Sequence, residues 1–135
     1  MSESTQNFLQ LLGRVLLSVI FIVAGIRKAL SFAASVAYMA KNGVPLTEPL
    51  AVAAIALEIG GGLMLLFGWK TRYIAIVLAI FVAVITPIFH AFWTFEAAAL
   101  PNQLNHFLKN LCVIGGMLYV AVSGPGKYSI DGNRK

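Results

Sequence analysis

Charge is scarce in this chain: Asp, Glu, Lys and Arg make up 11% of its 135 residues, against about 25% in an ordinary soluble domain. Acidic residues are scarcer still, five against ten basic ones. There is one cysteine, Cys112, which excludes an internal disulfide and a dithiol redox motif. Zinc-ligand spacing and phosphate-binding glycine loops do not occur. No linker or shift of composition marks a second domain, so residues 1–135 read as one domain. What fills the chain instead is apolar: 59% hydrophobic residues and a mean hydropathy of +0.85. A soluble globule this small could not bury that much apolar surface. The net charge of +5 does not point to nucleic acid, because the cations are scattered beside apolar runs in the manner of membrane flanks.

A helix needs about 20 mostly apolar residues to cross a bilayer. Four stretches qualify: Phe8 to Leu30, Leu50 to Phe67, Tyr73 to Trp93, and Asn105 to Val122. The reading is an all-α integral membrane protein, a four-helix antiparallel bundle with the bilayer as its main partner. Residues 68–72 form a tight loop, so the second and third spans are neighbours. Gly124-Pro125-Gly126 ends the fourth, since glycine permits a left-handed stop and proline cannot continue the helix. Between the first two spans, Phe32, Val36, Met39 and Ala40 recur at helical spacing and Gly43 and Pro45 stop the pattern. This predicts a short helix on the outer membrane surface. The first span is not read as a cleaved signal, because no basic residue precedes it and Arg27-Lys28 follow its core. Trp69 and Trp93 fall at opposite interfaces.

Four spans put both termini and the 68–72 loop on one side, with Arg14, Lys70, Arg72, Lys127, Arg134 and Lys135. The other side has Arg27, Lys28, Lys41 and Lys109. With Lys28 and Lys109 inside the bundle, the asymmetry places the termini in the cytoplasm of a bacterial inner membrane.

The apolar runs are interrupted at a few positions. Glu58 lies about 12 Å into the second span from its outer end, at 1.5 Å per residue. His90 and Lys28 sit near the outer ends of their spans, and Lys109 lies roughly 7–8 Å into the fourth. Because helix direction alternates, all four converge on the outer half of the bundle. His106, Lys109, Asn110 and Val113 share one face of the fourth span. Lipid does not tolerate an exposed charge, so this face is expected to look inward. The expected site is one polar cavity opening outward, with Lys28 at its rim and Met64 and Val113 closing it from below. Glu58 and His90 are the candidate proton-transfer groups, and Lys28, Lys109, Asn110 and His106 the candidate ligand-binding ones. Arg14 is expected to snorkel to the headgroups, and Pro87 to kink the third span. Gly60-Gly61-Gly62 and Gly115-Gly116 read as close-packing sites, and Cys112 as a small buried thiol. Two histidines near one face suit bis-histidine haem, but nothing else supports it.

Several of these residues fall into a known order. Gly25-Ile26-Arg27-Lys28 closes the first helix and Tyr38-Met39 precedes Gly43-Val44-Pro45. Leu57-Glu58-Ile59-Gly60-Gly61 leads to Leu65-Leu66-Phe67-Gly68 and Thr71-Arg72, then Phe89-His90. Phe107-Leu108-Lys109-Asn110-Leu111 comes before Gly115-Gly116 and the closing run Gly124 to Asp131. Over nearly the whole chain this resembles the DoxX family of small bacterial inner-membrane proteins. The resemblance implies a four-helix bundle with cytoplasmic termini. It also implies a redox association, since the family takes its name from likeness to the small subunit of an archaeal thiosulfate:quinone oxidoreductase and members are linked to oxidative-stress complexes.

Two functions follow as expectations. In one, the chain is a redox-linked subunit that binds quinone or a small anionic reductant and works with a membrane or periplasmic redox partner, alone or as a homo-oligomer. In the other, the polar cluster only fixes the bundle or docks a partner, and the chain is a non-catalytic module.

Overall fold

A computed structural model describes residues 1–133. Arg134 and Lys135, two of the six cations assigned to the inner side, lie outside the described residues. The five helices are α1 (Glu3–Leu30), α2 (Phe32–Lys41), α3 (Thr47–Phe67), α4 (Thr71–Phe89) and α5 (Leu100–Ser123). All but α2 are long and apolar enough to cross a membrane. The long helices run antiparallel: α1 packs along α3, α4 along α5, and α3 meets α4 near their tight turn. Both ends of the described chain therefore lie at one end of the bundle, here called the terminal face. The opposite end is the distal face.

The helices overrun the apolar stretches that define the spans. α1 starts at Glu3 because Ser2 caps it, its hydroxyl accepting from Thr5 N at 3.2 Å. α5 starts at Leu100, five residues before the expected Asn105, with Pro101 in its first turn, where the missing N–H is no loss. α4 ends at Phe89 and not at Trp93, two residues after Pro87, and Trp93 sits in a separate short 3₁₀ turn. α2 forms as the spacing of Phe32, Val36 and Met39 predicts, with Met39 buried and Gly43 left-handed after it.

Close packing falls on part of each glycine run. A Cβ on Gly62 would lie 2.7 Å from Ile22 Cγ1, and one on Gly25 2.6 Å from Ile59 Cγ1, so α1 and α3 approach at their backbones. Gly61 faces Ile74 and Leu78 of α4. Gly60 and Gly115 face open space, and their neighbours do the packing. The fully packed core, Phe21, Leu65, Ile74, Leu78, Val82 and Met117 among others, fills the middle and the terminal half of the bundle. Met64 and Val113 pack against this core, beneath the distal half.

The terminal face is closed by hydrogen bonds to helix ends. The last carbonyls of a helix have no partner within it. On α3, Arg14 donates from Nη1 to the Leu65 and Leu66 carbonyls at 3.1 Å each. Residues Ile130 and Asp131 donate their N–H groups to Phe67 O and Gly68 O, at 3.1 and 2.9 Å. Arg14 Nη2 also donates to Tyr128 O at 2.5 Å. Arg14 is 1% exposed, so it does not snorkel; main-chain carbonyls replace the headgroups as its partners. Gly68 is left-handed, and a Cβ there would collide with Arg14 and Ser129. At the start of α4, the Asp131 carboxylate accepts from Lys70 N, Thr71 N and Thr71 Oγ1 at 2.8–3.0 Å. That cap holds Lys70 at its left-handed φ of 47°. Arg72 donates from Nη1 to Ala121 O and Val122 O at the end of α5.

Candidate functional site

The distal half is built differently. Lys28 comes from the last turn of α1 and Glu58 from the middle of α3. Their helices touch at Gly25 and Ile59, close enough for the two side chains to meet. Lys28 Nζ donates to both carboxylate oxygens, at 2.6 and 2.8 Å. Glu58 is buried at 4% side-chain exposure while Lys28 keeps 35%. The pair thus has an inner, dry anion and an outer, partly solvated cation. A buried carboxylate without such a partner would be strongly disfavoured.

Lys28 also faces a cavity of about 660 Å³ between α2, α3 and α4. Its walls are mostly apolar, with Leu57, Phe81 and Ile85 among them, and His90 lines it as well. The cavity occupies the gap between the first half of α3 and the second half of α4, and α2 covers it. Tyr38 of α2 stacks on Phe89 of α4, ring centroids 5.5 Å apart and nearly parallel, which closes part of that cover. Leu50, Val84 and Ile88 line the cavity and are also exposed on the flank of the bundle. The cavity therefore opens sideways, where acyl chains lie, and not straight out through the distal face as the sequence suggests.

His90 follows the last turn of α4. Its Nδ1 lies 2.9 Å from Gln103 Oε1, and its ring stacks on His106 with centroids 4.9 Å apart. The stacked rings leave no gap for a haem plane between them. Gln103 carries no signal in the sequence; it reaches His90 because α5 starts a turn earlier than the apolar run suggests. One turn deeper, Asn110 Nδ2 donates to Thr86 Oγ1 at 2.9 Å, and that hydroxyl donates to Val82 O. Asn110 thus ties α5 to α4 behind the cavity and does not line it.

Of the sequence-derived set, Lys28 and His90 line one cavity, with Glu58 held behind Lys28 and His106 behind His90. Lys109 does not join them. It is exposed on α5, and among the described residues no ion pair links it to Glu58. The physical reason is side-chain direction. Helical side chains lean toward the helix N-terminus, which for α5 is the distal face. A lysine in the early turns of α5 therefore reaches the interface along the outside of the bundle. Cys112, expected to be buried, is exposed three residues further on the same helix.

Comparison with known proteins agrees with this architecture. The family model described as DoxX matches residues 9–91. The chain is 42% identical over 122 residues to inner membrane protein YqjF of Escherichia coli, covering 90% of this chain and 88% of that protein. It is 32% identical over 124 residues to inner membrane protein YphA of the same organism, covering 91% and 88%. It is also 30% identical to a Surfeit locus protein 4 homolog of Schizosaccharomyces pombe, over 98% of this chain but 40% of that protein. No solved structure matches.

Proposed function

The chain belongs to the DoxX family, and from that membership we propose that it is a redox-linked inner-membrane subunit that binds a quinone in its distal cavity. The observation that carries the reading is the cavity itself. A volume of about 660 Å³ lies within the roughly 300–1,000 Å³ usual for small-molecule sites, and its walls are apolar with few polar groups. The flank opening suits a ligand that arrives from the bilayer rather than from water. The Tyr38–Phe89 stack offers an aromatic surface to a flat ring.

In this reading the Lys28 ammonium holds a ring oxygen and favours negative charge there. Glu58 keeps that ammonium in place and, with Lys28, forms the pair that would deliver a proton to the ring oxygen as it is reduced. His90 is the second proton-transfer group, and Gln103 and His106 extend from it toward the distal face. A bound quinone supplies the electron chemistry: it takes up two electrons and two protons to become a quinol. The chain has no dithiol and no cofactor motif, so the electrons come from a membrane or periplasmic redox protein. With Arg14 buried, Lys28 paired with Glu58 and Lys109 exposed, the sequence still has five basic residues toward the termini (Lys70, Arg72, Lys127, Arg134 and Lys135) against three toward the distal face (Arg27, Lys41 and Lys109), which supports cytoplasmic termini and a periplasmic distal face.

The test is direct. Protein purified in mild detergent is extracted and its bound species read by absorbance and mass spectrometry, before and after addition of a short-chain quinone. A stoichiometric quinone, released by a bulky Ala53→Trp substitution in the cavity wall, is the expected result. An empty protein that also ignores added quinone overturns the reading. It would leave the alternative that Lys28 and Glu58 only pin α1 to α3, which their bridging position supports.

A further inference from the structure

A second cavity, of about 690 Å³, lies on the terminal face between the start of α1, the start of α4 and the segment after α5. We propose that it binds the phosphate of an anionic phospholipid headgroup. Three cations line it: Lys70, Arg72 and Lys127. Two acids face it, Glu3 and Asp131. The Asp131 carboxylate is engaged at the α4 start, where it caps the first N–H groups. Glu3 meets Lys127 at 2.9 Å, but both side chains are more than two-thirds exposed, so the pair is weak and a phosphate can replace the carboxylate. Lys70 Nζ lies 5.5 Å above the Trp69 ring and has no ion-pair partner among the described residues. Among the described residues Arg72 bonds through Nη1 alone, to the α5 carbonyls, and its other guanidinium nitrogens can meet an anion.

Depth decides the class of ligand. Trp69 and Tyr73 are exposed aromatic residues at this end of the bundle, as expected at headgroup level. Tyr73 lines the cavity, and Ile76 and Ile80, deeper on α4, are exposed below it. A phosphate among the three cations thus has an apolar track beneath it for an acyl chain. A free phosphate would use the cations and ignore the track.

The experiment measures binding of phosphatidylglycerol and of phosphatidylcholine to the full chain in detergent, by native mass spectrometry and by thermal shift. Phosphatidylglycerol should bind at least about tenfold more tightly, as expected for a few cations at headgroup level. Lys70→Ala with Lys127→Ala should abolish that preference while the lipid-free melting temperature stays unchanged. Arg72 is left alone because it caps α5. Glu3→Gln, which removes an acid from the cavity, should strengthen the preference. Arg27→Ala with Lys41→Ala, removing two cations from the distal face, should leave it intact. Equal binding of the two lipids overturns the proposal, as does equal loss in the distal double variant. Displacement of the lipid by millimolar inorganic phosphate, with the same stabilisation by phosphate alone, would reassign the site to a soluble anion.

Discussion

The two ends of this bundle both hold charged and polar side chains, and they use them in opposite ways. At the terminal face the partners are main-chain groups: Arg14, Arg72 and Asp131 bind the ends of α3, α5 and α4. At the distal face the partners are other side chains: Lys28 with Glu58, His90 with Gln103 and His106. α3 begins there after a left-handed Leu46 with no side-chain cap, and α5 begins without one as well. The packed core also sits toward the terminal half, and the apolar cavity lies in the distal half. The difference teaches how to sort buried charge. A buried charge that satisfies helix ends, as Arg14 does, is consumed by the fold. One that pairs with another side chain beside an open volume keeps chemistry to offer.

The comparison can be broken by substitution. The largest effect is expected at Arg14. Arg14→Leu strips three carbonyl contacts at once, and bonds from charged donors are worth about 1.5–3 kcal/mol each when their partners stay buried. The protein should fail to accumulate or should melt far below the wild type in detergent. A melting temperature within a degree of the wild type would show that the terminal face is not held this way.

Next comes Lys28→Ala, which leaves Glu58 buried without its cation. Breaking a buried pair from one side costs about 3–5 kcal/mol in soluble proteins, and the partial solvation of Lys28 puts this case at the lower end. Glu58→Gln should be milder, and adding it to Lys28→Ala should restore part of the loss. A double variant no more stable than Lys28→Ala would mean that the carboxylate is not the cause. A smaller loss, about 1 kcal/mol, is expected for Asp131→Ala, the price of one helix cap, read as a shift in the unfolding transition. Lys109→Ala should leave the melting temperature unchanged, since the side chain is exposed. A large drop there would place Lys109 in a contact with a second copy or another protein.

Accessibility sharpens the same contrast. In a Cys112→Ser background, a cysteine at Thr47 or Asn102 should react with an impermeant reagent added to intact cells, and one at Lys70 should not. Labelling at position 70 would invert the orientation proposed above.

The four long helices were legible because a membrane span is a one-dimensional signal: length and hydropathy suffice. The depth of Glu58 and Lys28 was legible for the same reason, and their meeting follows from alternating helix direction. What a helix faces is harder. Lys109 shares a depth with the others, yet depth does not set rotation about the helix axis, and a long lysine stem relieves the need to turn inward. The burial of Arg14 is not legible because its partners are carbonyls of Leu65, Leu66 and Tyr128, and carbonyls are the same in every sequence. The sideways opening of the cavity depends on where α2 rests, and the spacing of Phe32, Val36 and Met39 tells which face of α2 is apolar but not what it covers.

The stitching of the terminal face also sets a schedule for biogenesis. Chains are made from the N-terminus, so α1, α3 and α4 exist before residues 128–131 emerge. Until then the carbonyls of Phe67 and Gly68 and the first amides of α4 lack the partners they have in the finished fold. Residues 128–131, made after all four spans, are therefore the ones that lock the first three, and a copy stalled before them carries an open seam at its terminal face. Quality control that senses unsatisfied polar groups near the membrane surface would find that seam on every stalled chain and on no completed one.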